Sequence, residues 1–82
     1  MKYETGYEVD GFEFHIDARQ DEEGKHWGRI FFTANGETQQ RYVPPFLLST
    51  LTAFKTVRGA RIEAEALAYE LIKTRTIKAF LP

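Results

Sequence analysis

Eighty-two residues leave room for one core, because a chain this short buries only about 60 to 65% of the surface its unfolded form exposes. With 43% apolar residues, seven Phe, four Tyr and one Trp, the chain is too rich in large side chains to stay disordered. The absence of cysteine excludes disulfides, thiolate zinc sites and cysteine nucleophiles, and a net charge of −1 excludes the broad cationic excess of a general nucleic-acid binder.

Charge is unevenly spread. Residues 1–40 hold four Lys/Arg against nine Asp/Glu, a net of −5, and residues 41–82 hold seven against three, a net of +4, so the C-terminal half could carry a basic surface. Met1 to Asp10 has no apolar run with a basic flank, and no stretch reaches the roughly 18 apolar residues of a membrane span. The expectation is a single cytoplasmic domain over residues 1–82, with no membrane partner.

In chain order, Tyr3 to Val9 reads as extended, with Val9-Asp10-Gly11 as a turn in which Gly11 accepts positive φ. From Phe12 to Ala18, Phe12, Phe14, Ile16 and Ala18 alternate with Glu13, His15 and Asp17, the period of a half-buried strand. Asp21 to Lys25 is a turn by composition, and His26 to Ala34 is a second strand, rich in aromatic and β-branched residues. Its alternation sends Ile30, Phe32 and Ala34 to the core and Trp27, Arg29 and Phe31 outward. Asn35-Gly36 then predicts a type I′ hairpin turn, with Glu37 to Val43 returning and Pro44-Pro45 ending that strand. Residues 46–54 are ambiguous between helix and strand; a strand or extended segment is favoured, which leaves the sheet with three or four strands.

Thr56 is placed to N-cap a helix running from Val57 to about Thr74. Val57, Ala60, Ala64, Leu67, Ala68, Leu71 and Ile72 form its broad apolar face, alanine-rich enough to lie close to a sheet. Gly59 marks either close contact with that sheet or a later helix start. Ile77, Phe80 and Leu81 form an apolar tail. The fold class is therefore α+β, an antiparallel sheet covered on one face by one long C-terminal helix.

No nucleotide-binding loop, metal-ligand pattern or triad spacing is present, so no catalytic, cofactor or metal residue is assigned. His15 and Asp17 share a side of the first clear strand, with Trp27 or Arg29 across from them, but a solvated charge pair is the plainer reading. More informative is the outer face, where Trp27, Arg29, Phe31 and His15 form a candidate interaction surface; aromatics with interspersed Arg and His on a sheet also stack RNA bases. A second helix stripe, Ile62, Ala66, Tyr69 and Lys73, would fit a partner. Lys55, Arg58 and Arg61 are candidate phosphate contacts at the helix start, while Lys73, Arg75 and Lys78 sit at its end, where cations suit the helix dipole.

The pattern Tyr7-x-Val9-x-Gly11-Phe12-x-Phe14-x-Ile16, the later Trp27, and Phe54-x-Thr56 leading into Ala60 to Ile72 resembles small bacterial single-domain proteins of β-β-β-α type, the HicB-like or double-stranded-RNA-binding-like compact folds. The resemblance implies a fold and carries over no functional residue. The functional expectation is a non-enzymatic protein-interaction module that self-associates, for instance as a homodimer. The alternative is a nucleic-acid-binding accessory protein using the C-terminal basic residues or the aromatic sheet face.

Overall fold

The computed structural model describes residues 5–82; Tyr3 and Glu4, at the start of the segment expected to be extended, lie outside the described residues. Four strands, β1 (Thr5–Val9), β2 (Phe12–Gln20), β3 (His26–Asn35) and β4 (Gln40–Ser49), form an antiparallel sheet in the order β1-β2-β3-β4. A helix, α1 (Val57–Lys73), covers one face across β3 and β2, and a 3-10 turn, Thr76–Ala79, follows. This is the expected α+β fold. The alternation from Phe12 produces it: Phe12, Phe14 and Ile16 are all buried, facing Ile30 and Phe32 of β3 and the alanine edge of α1.

The hairpin signals fall differently from their sequence reading. A two-residue loop, Asp10-Gly11, joins β1 to β2 with both residues at positive φ (50° and 87°), the requirement of a type I′ turn. Asn35-Gly36 makes no such turn. Four residues, 36–39, separate the Asn35–Gln40 pair, positive φ falls on Gln39 instead, and the Asn35 side chain accepts from the Glu37 amide at 3.0 Å. Gly36 is required for close approach: its amide donates to the Gly11 carbonyl at 2.7 Å, and a Cβ there would lie 2.7 Å from that same oxygen.

Pro44-Pro45 does not end a strand. β4 runs through both, with a cis bond at Val43-Pro44, because it is a sheet edge where a missing N–H need not break a ladder. The register against β3 shifts here, Ala34 facing Arg41 and Phe32 facing Phe46, and residues 46–49 belong to this same strand. The fourth strand is therefore β1 at the opposite edge rather than a separate element after the prolines. Thr33 is the extra residue on β3: the pairing with β2 passes from Phe14–Phe32 to Glu13–Ala34. Paired residues share a face, so this bulge turns Ala34 to the side of Glu13 and puts Asn35 beside Phe12. The expected inward Ala34 is thus an outer-face residue, although buried.

After β4 the chain bends at Leu51 and Thr52 and returns to β3 once more at Phe54. Thr50, 2% exposed, donates its amide to the Gly28 carbonyl and accepts from the Gly28 amide on Oγ1 at 3.2 Å, and His26 and Phe54 exchange two backbone bonds of 2.7 Å. The Thr56 hydroxyl then caps α1 by accepting from the Gly59 amide at 2.9 Å. Ala60, Ala64, Ala68 and Ile72 are buried, whereas Val57, expected on the buried face, is half exposed. The glycine at the sheet–helix contact is Gly28, not Gly59: a Cβ on Gly28 would press into the Ala60 carbonyl oxygen and lie 2.8 Å from Ala64 Cβ, while one on Gly59 would meet Thr56 and Phe54. In the tail Ile77 is buried, Leu81 packs against the core and Phe80 is half exposed.

One core group stands out. Among the described residues the buried Tyr42 hydroxyl finds no hydrogen-bond partner, which costs about 1 to 3 kcal/mol of lost hydration. Tyr42→Phe keeps the ring and removes the stranded oxygen, so it should raise stability by about 1 kcal/mol; a melting temperature that falls would show that the hydroxyl is held by something that thermal unfolding also disrupts.

Candidate functional site

The face of the sheet away from α1 carries the residues of the candidate interaction surface. Register places them in rows: Gly6, His15, Phe31 and Leu47 in one, Asp17, Arg29 and Ser49 in the next, Arg19 and Trp27 beyond. The centre is held tightly. Arg29 donates to both Asp17 carboxylate oxygens, at 2.7 and 2.6 Å, in the bidentate geometry that fixes a guanidinium in its plane. The Arg29 guanidinium carbon also lies 5.1 Å from the centroid of Phe31, a cation–π distance. Phe31 is only 8% exposed. It was expected on this outer face, and within the surface it forms the floor on which Arg29 rests. His15 sits beside it over Gly6, where an added Cβ would fall 3.0 Å from His15 Cε1.

Trp27 is positioned from the turn. Asp21 accepts from the indole N–H at 2.9 Å on one oxygen and from the Glu23 and Lys25 amides at 2.9 and 3.0 Å on the other. The indole bond first, and the Lys25 amide second, hold the Asp21 carboxyl below its ordinary range. Its folded pKa is depressed, so the stabilisation is present above about pH 4 and is lost as pH falls through the folded value. Urea midpoints of wild type and Asp21→Asn should therefore differ by a constant amount near neutrality and converge in acid; a gap unchanged down to pH 2.5, roughly 1.4 units below the free Asp value, would show that the carboxylate's charge contributes nothing.

Around Trp27 lies a depression of about 400 Å³ lined by Arg19, Asp21, Trp27, Arg29, Leu47 and Ser49, among others. Leu47 is 48% exposed. Asp21, Leu47 and Arg19 were not singled out by sequence. An aspartate opening a turn was the available signal for Asp21; for Leu47 there was none, because the strand was expected to stop at the prolines before it.

The helix residues lie elsewhere. Ile62 is 57% exposed and borders a second cavity, about 460 Å³, between β1 and the first half of α1, together with Tyr7, Ile16, Val57, Arg58 and Arg61. Tyr69, 40% exposed, sets its ring edge-on to Tyr7 and Phe14 at 6.3 Å from each. The Tyr7 hydroxyl donates to Glu65 at 2.9 Å; burial and then the Glu65 carboxylate raise its pKa. Of the candidate phosphate contacts, Arg58 and Arg61 line this cavity and Lys55 does not. At the other end of α1, Arg75 and Lys78 pair with Glu37 at 3.2 and 3.0 Å, with Lys78 the main cause of the lowered Glu37 pKa.

Among the described residues no group of three or more His, Cys, Asp or Glu is arranged to hold a metal ion, and no helix is long and apolar enough to cross a membrane. A scan against protein-family models, a search of curated proteins and a search of solved structures each return no match.

Proposed function

We propose that this protein is a non-enzymatic interaction module that associates with a second copy of itself through the outer sheet face. The observation that carries the reading is the state of Trp27 and Arg29. Both are residue types that dominate interface energies, and both are immobilised beforehand, one by Asp21 and the other by Asp17 and Phe31. Fixing such side chains before contact removes ordering entropy from association.

A second copy suits this face because its charges are of both signs. Glu13, Asp17 and Asp21 interleave with Arg19, Arg29 and Arg41, and Arg41 reaches to within 3.8 Å of Glu13. A two-fold axis lays a patch on itself, where a single-signed patch would repel and a mixed one can match. The same acids oppose a phosphate backbone. In the C-terminal half, Arg75 and Lys78 are already engaged by Glu37, so nucleic-acid binding remains the alternative.

Sedimentation velocity over a concentration series should show a monomer–dimer equilibrium that Leu47→Glu and Trp27→Ala each shift towards monomer. A wild type that stays monomeric throughout ends the reading. RNA retention at low salt that fails with Arg58→Ala and Arg61→Ala would put the alternative in its place.

A further inference from the structure

The segment Thr76–Pro82 is tied loosely to the rest of the fold. The amides of Lys78, Phe80 and Leu81 donate to the carbonyls of Arg75 and Ile77, inside the segment or at its root, so these bonds do not fasten it to the sheet or to α1. Of its seven residues only Ile77 is buried and Leu81 half-buried; the other five are exposed. At the root, Arg75 has φ 65°, a left-handed conformation that suits glycine and strains an arginine. From outside the segment, one carboxylate holds it: Glu37 accepts from Arg75 at 3.2 Å and pairs with Lys78 at 3.0 Å. All three side chains are more than a third exposed, where solvent and salt weaken such pairs. Glu37 itself is well anchored, its amide donating to the Asn35 side chain at 3.0 Å and the neighbouring Gly36 amide to the Gly11 carbonyl at 2.7 Å.

What the segment covers is also poorly satisfied. Ile77 and Tyr42 belong to one core, and Pro82 borders a cavity of about 430 Å³ together with Tyr42, Pro45 and Phe46. The buried Tyr42 hydroxyl has no hydrogen-bond partner, a condition that admitted water would relieve. We infer that Thr76–Pro82 is a detachable strap, which swings about Arg75, releases Glu37 and lets water reach Tyr42 while the sheet and α1 stay folded. Relief of the Arg75 backbone, hydration of the Tyr42 hydroxyl and recovered chain freedom favour the open form. Burial of Ile77 and the two ion pairs favour the closed one, so salt shifts the balance towards opening. Segments with few buried contacts open in this way as local units. The strap packs on the helix side of the sheet, so this proposal does not depend on association through the outer face.

Native-state hydrogen exchange on ¹⁵N-labelled protein provides the test. After correction for intrinsic rates, the amides of Lys78, Phe80 and Leu81 should exchange at least about a hundredfold faster than those of Ala64 and Ala68 in the middle of α1. Glu37→Gln should speed the strap amides by about fivefold, because only the closed form loses its ion pairs. Tyr42→Phe should slow them by about fivefold, because only the closed form is rid of a stranded oxygen. Glu37 is exposed and Tyr42→Phe keeps the ring, so both variants fold. Strap amides as slow as those of Ala64 and Ala68 would mean that only unfolding of the whole domain frees the segment. Strap rates unmoved by Glu37→Gln, or unmoved by Tyr42→Phe, would mean that these amides exchange without the latch breaking or without Tyr42 being uncovered. Each of these results overturns the proposal.

Discussion

Gly28→Ala should destabilise the domain by about 3 kcal/mol, lowering its melting temperature by roughly 12 to 24 °C for a chain of this size. Overpacking usually costs 1 to 3 kcal/mol, and three features put this site at the upper end. The nearest obstacle is the Ala60 carbonyl, part of the helix backbone. The next two, Ala64 Cβ and Thr50 Cγ2 at 2.8 and 2.9 Å, belong to short side chains that have no flexible end to move aside. The Thr50 hydroxyl is also committed, accepting from the Gly28 amide and donating to the Thr52 carbonyl. Relief must come from lifting α1 off β3, which loosens every alanine contact at once. Against a total stability of about 4 to 12 kcal/mol, such a change leaves a marginal protein. A fall of under about 4 °C, equivalent to less than 1 kcal/mol, would mean that the helix stands farther from the sheet than these contacts place it.

The second large effect belongs to Phe14→Ala, expected to cost about 4 kcal/mol. Phe14 is fully buried and central to an aromatic cluster: stacked on Tyr7 at 5.0 Å, tilted against Phe32 at 5.4 Å and edge-on to Tyr69. Its removal leaves a void walled by three rings, each anchored on a different element, so collapse around the hole is limited. Tyr7→Phe is the informative companion. It retains the stack and deletes only the bond to Glu65, and should cost no more than about 1 kcal/mol. Urea unfolding of both variants decides whether packing or hydrogen bonding does more to join β1 to α1: equal losses would mean that the aromatic stack contributes no more than the single bond to Glu65.

Much of the fold was legible because it depends on local rhythm. The alternation from Phe12 and the alanine spacing after Thr56 each specify an element without reference to distant residues, and the two patterns together imply one face against the other. What sequence could not reveal depends on position in the sheet. Pro44-Pro45 stops a central strand and is tolerated at an edge, and edge status is a tertiary fact. Asn35-Gly36 has the composition of a tight turn, yet its glycine answers to the Gly11 carbonyl, which belongs to another hairpin. Thr33 gives no sign that it is a bulge, and a one-residue slip reverses every face assignment after it. Ala34 and Asn35 show the result.

The candidate surface was legible in part for the same reason. Trp27, Arg29 and Phe31 were correctly expected on one face, since period two fixes that much, and of the two residues offered opposite His15 and Asp17 it is Arg29 that pairs with Asp17, while Trp27 pairs with Arg19. That Phe31 lies beneath Arg29, and that Asp21 reaches the Trp27 indole, depends on rotamers and turn geometry that residue spacing does not encode. Leu47 joins the surface only because β4 survives its prolines.

The placement of the covering helix after all four strands has a consequence during synthesis. When β4 is complete, Phe12, Phe14, Ile16, Ile30 and Phe32 have no lid, because the alanine stripe from Ala60 to Ala68 has yet to be translated. At about 5 to 20 residues per second, roughly one to five seconds separate the synthesis of β4 from that of the end of α1. The core-facing side of the strands can close only once both have left the ribosome, so its aromatic side chains depend on the last third of the chain for their cover.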